Sequence, residues 1–217
     1  MTEQELQTYW NTKHPVNPVV YTGRAIPSIC PTCKGHSVKD QVNIDVKTMV
    51  TVNDCMVKDI IEKNNLKGNT HDETMLKIQQ WIVNNVKYIG DDLSQGTMEY
   101  WQFPFETLAC GVGDCEDGAL LIATLAIAAG VPAFRVRVVA GMVQEAPTAP
   151  QGGHGYVCYL RETDNQWVVI DWCYFQDSTK LINEKPLLKD NAYYKEMWFS
   201  FNNEFSWSNK QLEFATF

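Results

Sequence analysis

Positive charge and long apolar runs are both scarce in this 217-residue sequence. Lys and Arg number 18 against 26 Asp and Glu, a net charge of -8, and no basic stripe gathers the few cations. That balance excludes nucleic acid or an anionic membrane surface as the main partner. No apolar run reaches the ~18 residues of a membrane span. The N-terminus, from Met1 to Leu6, lacks the basic and apolar regions of a secretory signal, so a chain that is cytoplasmic, or that begins after processing, is expected. Cysteine is present, but the seven are an odd number in a chain too long to need staples. At least one is unpaired in a monomer, which suits a reducing compartment. With 45% apolar residues, one well-filled domain is expected.

What is present centres on the stretch from Trp101 to Gly118. It launches an apolar run, Ala119 to Ala129, whose Ala and Leu content reads as a helix stopped by Gly130 and Pro132. Cys115 then falls in the first turn of a buried helix or just before it. Unpaired backbone N–H groups there favour a thiolate. Gly111 and Gly113 leave room for a tight backbone and an approaching substrate. A lone cysteine in such a place is more often a small buried cap. Asp114, Glu116 and Asp117 argue otherwise, since three carboxylates are costly to bury without partners.

Upstream, residues 2–12 read as a short helix. Cys30, Cys33 and His36 follow at Cys-x-x-Cys-x-x-His spacing, with Cys55 available as a fourth ligand. A structural Zn2+ knuckle fits this set, and a redox pair or two turn cysteines fit it as well. Residues 38–52 alternate in places and read as an edge strand. Asn53 is expected to cap a helix to about Leu66, and Thr70 with Glu73 to cap a second carrying Met75, Ile78, Ile82 and Val86.

Downstream, residues 133–140 read as a strand with one polar face, Arg135 and Arg137 among it. Residues 143–153 read as a loop able to serve as a rim or lid. Residues 155–161 and 166–172 read as a hairpin. A four-residue turn sets Arg161 opposite Gln166 and Tyr156 opposite Asp171, leaving His154 one diagonal step away on the same face. Beyond Trp172 the chain is crowded with aromatics that read as core or as a C-terminal strap.

Cys115, His154 and Asp171 thus form a nucleophile, a base and an orienter in chain order. A thiolate attacks an acyl carbon, an imidazole takes and returns the proton, and a carboxylate fixes the imidazole tautomer. Around these residues the sequence resembles the transglutaminase-like superfamily of papain-like cysteine enzymes. The nearest likeness is to the bacterial transglutaminase-like cysteine proteinases, through Trp101, Pro104, Glu106 to Leu108, Gly111, Gly113 to Asp117, Gly153-His154 and Asp171-Trp172. The resemblance implies an α+β fold in which the nucleophile helix packs on an antiparallel sheet carrying the His and the Asp. It implies a catalytic core over residues 70–175, with residues 1–69 as an N-terminal extension and residues 176–217 as an aromatic strap in the same domain.

The chemistry implied is acyl transfer through a thioester on a protein or peptide substrate, with no cofactor needed. Release is by water in a protease or amidase, or by an amine in a transglutaminase. A non-catalytic binding or virion-structural module of the same fold is the rival, which the intact triad speaks against. The Cys115 backbone N–H is the natural first oxyanion donor, with the Trp101 or Gln102 side chain as the second. Some relatives hold Ca2+ beside the nucleophile, at positions matched here by Asp114, Glu116 and Asp117. Those proteinases usually carry an export signal, which is not seen here, and a compact signal-free version suits a phage-encoded member. Gly118 replaces a bulky aromatic common in the family, so a more open cleft is expected.

Overall fold

The computed structural model describes residues 1–13, 19–22 and 43–208. Helix α1 (Glu3–Thr12) starts at a reciprocal cap: the Glu5 N–H donates to Thr2 Oγ1 at 3.2 Å and the Thr2 N–H to Glu5 Oε2 at 2.8 Å. It buries Leu6 and Trp10. Strands β1 (Val20–Tyr21) and β2 (Ile44–Asp45) form a small antiparallel pair. In the described part of residues 38–52 the expected strand is therefore two residues long. Asp45 then caps a 3₁₀ turn over Val46–Met49 by accepting from the Lys47 N–H, which ends extended structure.

Helix α2 (Cys55–Lys63) is capped by Asp54 rather than by Asn53, through the Met56 N–H at 2.8 Å. Helix α3 (His71–Asn85) begins at Thr70 as expected and buries Met75, Ile78 and Ile82 completely. Next come β3 (Lys87–Tyr88), the short α4 (Asp91–Ser94), α5 (Pro104–Cys110), β4 (Val112–Gly113) and α6 (Cys115–Ala128). Strands β3 and β4 pair in parallel. Gly111 ends α5 with φ 70°, a left-handed conformation that favours glycine.

The main sheet contains β5 (Val136–Gln144), β6 (Gln151–Leu160), β7 (Trp167–Ile170), β8 (Tyr194–Phe201) and β9 (Ser206–Ser208) in the order β7-β6-β5-β8-β9. All its pairings are antiparallel. Helix α6 lies against β5 and β6 on one side and against α2, α3 and α5 on the other. It is apolar all round because it is enclosed all round: every residue from Glu116 to Ala126 is buried. This is the α+β arrangement expected, with the helix that carries Cys115 at its centre.

Several expectations are corrected. The polar face of the strand after α6 is not solvated, because α1, the aromatic C-terminal residues and the hairpin cover it with a second core around Trp10, Phe134, Tyr156, Trp167 and Trp207. Arg135 and Arg137 are buried in consequence. Arg135 forks onto Glu3, with Nε and Nη2 at 3.0 and 2.6 Å from its two oxygens. The Arg137 guanidinium lies 3.8 Å from the Trp207 ring centroid, the cation–π placement that a buried guanidinium favours. The loop expected over residues 143–153 shrinks to residues 145–150, since β5 and β6 pair as far as Gln144 and Gln151. The segment 176–217 is more than a strap, for it supplies β8 and β9, two of the sheet's five strands. Among the described residues no helix is long and apolar enough to cross a membrane.

Gly118 does not open the cleft. A Cβ there would lie 2.1 Å from Trp172 Nε1, so the indole occupies the space an aromatic at 118 would take. Gly118→Ala is expected to destabilise the protein by about 1–3 kcal/mol through overpacking. The urea unfolding midpoint checks this, and an unchanged midpoint would show that Trp172 moves aside freely.

Candidate active site

Two close approaches build the site. Gly155 on β6 packs against the first turn of α6, where an added Cβ would stand 2.7 Å from Glu116 Cα. Only glycine allows the strand so near the helix start. Cys115, the first residue of α6, and His154, the neighbour of Gly155, therefore line one cavity of about 220 Å³. Glu99, Trp101, Gly153 and Trp198 complete much of its wall.

The hairpin register turns out as derived from its turn. Leu160 pairs with Trp167, Val157 with Ile170, and the Arg161 N–H donates to the Gln166 carbonyl at 3.0 Å. Continued one residue past β7, that register sets Asp171 opposite Tyr156 with His154 one diagonal step away, and His154 Nε2 lies 2.6 Å from Asp171 Oδ2. Both side chains are almost fully buried. Burial would raise the Asp171 carboxyl, but the hydrogen bond and charge of His154, with the Cys173 N–H and the Tyr194 hydroxyl, hold it below the usual range. Nε2 is thus committed to the carboxylate, leaving Nδ1 as the ring nitrogen outside that bond.

Asp171 is held from all sides. Tyr194 donates to Oδ2 at 2.7 Å, and the Cys173 and Tyr174 N–H groups donate to Oδ1 at 3.1 and 3.4 Å. Gln79, buried on α3, donates its amide to the Asp171 carbonyl at 2.6 Å and also to the Gln176 carbonyl. Trp172 donates from Nε1 to the Cys115 carbonyl at 3.2 Å, joining the Asp strand to the Cys helix. Sequence reasoning missed Tyr194, Gln79 and this role of Trp172. No local pattern marks them, since each lies on an element remote in sequence from the group it holds.

Cys115 rests as a thiol. Burial and the neighbouring Glu116 and Asp114 push its pKa up, and the Gly155 backbone N–H offsets only part of that. The S–H donates to Glu116 Oε2 at 3.0 Å. The favourable helix start is therefore outweighed by desolvation and by acidic neighbours, contrary to the lowered pKa expected from position alone.

The acidic residues divide. Asp117 is spent internally, accepting from the Gln102 N–H and Nε2 at 2.7 and 2.6 Å and from the Asp114 N–H at 3.2 Å. The Gln102 amide therefore faces Asp117; Trp101 lines the cavity, and its Nε1 donates to Glu99 at 2.6 Å. Asp91, which the sequence reading did not single out, joins Asp114 and Asp117, with ligand atoms within 4.8 Å of one another. Burial first, and then Asp114, push Asp91 up to about 7. Burial, the largest influence, together with Asp114 and Asp91 pushes Asp117 up to about 8. Asp114 and Glu116 are near enough to share a proton and are both raised by burial. Apart from any shared proton, Asp91 Oδ1, Asp114 Oδ1 and Glu116 Oε1 are buried with no hydrogen-bond donor. An oxygen-only, acidic set with orphaned oxygens fits a hard divalent cation.

Of the expected zinc ligands, Cys30, Cys33 and His36 lie outside the described residues. Cys55 is a free, exposed thiol at the start of α2.

The model of the transglutaminase-like superfamily matches residues 59–172, just over half of the chain. Among solved structures, calcium-bound LapG from Legionella pneumophila is similar at 21% identity and TM-score 0.53, covering 71% of this chain and 77% of that one. A second LapG structure from the same organism gives 17%, 0.51, 79% and 90% for the same measures. The EGTA-treated form gives 18%, 0.50, 76% and 84%. At these identities the likeness is one of fold. No curated protein matches the chain in sequence.

Proposed function

The chain belongs to the transglutaminase-like superfamily, and from that membership we propose that it is a cysteine-dependent acyl-transfer enzyme hydrolysing a peptide or isopeptide bond through a thioester on Cys115. The observation that carries this reading is the 2.6 Å bond between His154 Nε2 and Asp171 Oδ2 at a cavity that Cys115 also lines. Cys115 Sγ attacks the substrate carbonyl carbon as its proton passes to His154 Nδ1. The backbone N–H groups at the start of α6 face the oxygen that becomes negative. The C–N bond then breaks, and His154 returns the proton to the leaving amine. Water, deprotonated by the same nitrogen, cleaves the thioester and releases the acid. Asp171 keeps the imidazole in the tautomer with its hydrogen on Nε2 and stabilises the imidazolium. Release by an amine would use the same thioester, but water needs no acceptor subsite and is the reading adopted.

Because the thiol rests protonated, ionisation has to run through His154. The rate of Cys115 alkylation by iodoacetamide against pH, read by peptide mass spectrometry, tests this. Below the free-thiol value of ~8.5, wild type is expected to label faster than His154→Ala, because the imidazole takes the proton that burial keeps on the sulfur. Slow labelling that rises only near that value in both proteins would overturn the reading.

We further propose that Ca2+ binds at Asp91, Asp114 and Asp117, whose ligand atoms lie within 4.8 Å of one another, with Glu116 beside Asp114. LapG is known in calcium-bound and EGTA-treated forms. Bound there, Ca2+ supplies positive charge that offsets the carboxylates raising the thiol. A carboxyl raised above its unfolded value stabilises the fold below the unfolded pKa and loses that contribution as pH rises through the folded one. With Asp91 at about 7 and Asp117 at about 8, the metal-free protein loses stability from about pH 4 to about pH 8. The gain in melting temperature on adding Ca2+ is expected to grow over that window, as metal replaces protons. A melting temperature indifferent to both Ca2+ and EGTA at every pH would discard the site.

A further inference from the structure

Cys173 has no part in the hydrolysis, yet it is placed against it. The Asp-x-Cys spacing makes a tight turn: Asp171 Oδ1 accepts from the N–H groups of both Cys173 and Tyr174. That curl sets Cys173 Sγ 3.6 Å from Asp171 Oδ1, while Oδ2 of the same carboxylate holds His154. The three side chains offer ligand atoms all within 4.8 Å of one another. They comprise one nitrogen, one sulfur and one oxygen, a set that selects Zn2+ over the hard cations. Cys173 is half-buried and the adjoining Tyr174 exposed, while His154 and Asp171 are almost fully buried, so a metal ion has to enter from the Cys173 side.

We propose that Zn2+ binds His154 Nε2, Asp171 and Cys173 Sγ, with water in the fourth position, and that it holds the enzyme inactive. The proposal rests on the reading of His154 as the base. Ligands at tetrahedral zinc stand about 3.3–3.6 Å apart. With zinc on Asp171 Oδ2, the His154–Asp171 pair has to open by less than about 1 Å, and Cys173 Sγ, whose 3.6 Å separation is from Oδ1, has to turn towards Oδ2. That opening breaks the bond which orients the imidazole. Zinc takes the Nε2 lone pair, so the neutral ring carries its hydrogen on Nδ1 and has no lone pair to accept the Cys115 proton. Cys173 passes its own proton to solvent, one proton released per zinc bound. Nothing is oxidised, and a chelator reverses the state.

The site is tested first without catalysis. A Cys30→Ser, Cys33→Ser, Cys115→Ala protein is titrated with Co2+, which reports thiolate ligation by a near-ultraviolet charge-transfer band. A saturable band that is lost on adding Cys173→Ser, with circular dichroism unchanged, is the expected result. No band, or a band that survives Cys173→Ser, overturns the proposal whatever the enzyme does. Zinc inhibition is then measured on the Cys30→Ser, Cys33→Ser enzyme, each variant against its own zinc-free rate. Cys173→Ser is expected to raise the half-inhibiting zinc concentration at least about tenfold. Equal inhibition with and without Cys173 would remove the regulatory role. A cobalt band in a protein with no hydrolytic activity would instead fail the proposed function and leave the metal site standing.

Discussion

Cys115→Ala is expected to abolish amide hydrolysis, lowering kcat by about 10⁴–10⁶-fold, because the attacking atom of a covalent mechanism is gone. The fold is expected to survive. Cys115 sits at the first position of α6, and its sulfur's hydrogen-bond partners are Glu116 and the Gly155 backbone N–H. Removing it leaves the Trp172 indole on the Cys115 carbonyl and the Gly155 contact with the Glu116 backbone in place. Glu116 Oε2 loses its thiol donor, so the melting temperature is expected to fall slightly. Turnover of a peptide library by purified Cys115→Ala, compared with wild type at equal concentration, is the measurement. Normal turnover would end the case for a thioester, and a loss accompanied by unfolding would mean the thiol matters to the structure instead.

The parts of this molecule legible from sequence are those whose signals are local. Helix α3 announced itself by Thr70 and by Met75, Ile78 and Ile82 on one stripe, and the β6–β7 hairpin by a polar four-residue turn whose parity fixes which side chains share a face. The pairing of His154 with Asp171 followed from that parity, and the position of Cys115 from the composition of α6. What stayed hidden depends on contacts between distant segments. Strand β8 reads as an aromatic tail because its buried residues fall irregularly, Tyr194, Met197, Ser200 and Phe201 inside and Lys195, Glu196 and Trp198 exposed, so no regular alternation marks it. Arg137 looks like a solvated strand residue until α1 is folded over it. Gln102 resembles an oxyanion donor in sequence because it neighbours the site, but its amide is consumed by Asp117. Asp91 belongs with Asp114 only after β3 and β4 pair and bring α4 beside the start of α6.

Asp171→Asn is expected to keep the architecture and lower kcat by about 10⁴-fold, near 5 kcal/mol of barrier. The direction follows from which oxygen each donor uses. Oδ1 accepts from the Cys173 and Tyr174 backbone N–H groups, so an asparagine places its carbonyl oxygen there and its NH2 where Oδ2 was. That NH2 then faces His154 Nε2 and the Tyr194 hydroxyl, both of which donate to Asp171 in the wild type. Tyr194 can rotate its hydrogen away and accept. His154 can accept only by moving its hydrogen to Nδ1, the nitrogen that has to take the Cys115 proton. The imidazole is thus held in the right place in the wrong tautomer, and the imidazolium formed during turnover loses its buried counter-charge. KM is expected to change little, because Asp171 lies behind His154 and does not line the cavity. The kcat and KM of the variant, with the nitrogen-15 shifts of the His154 ring to read the tautomer, decide the matter. An unchanged kcat, or a large loss with the hydrogen still on Nε2, would take Asp171 out of the mechanism.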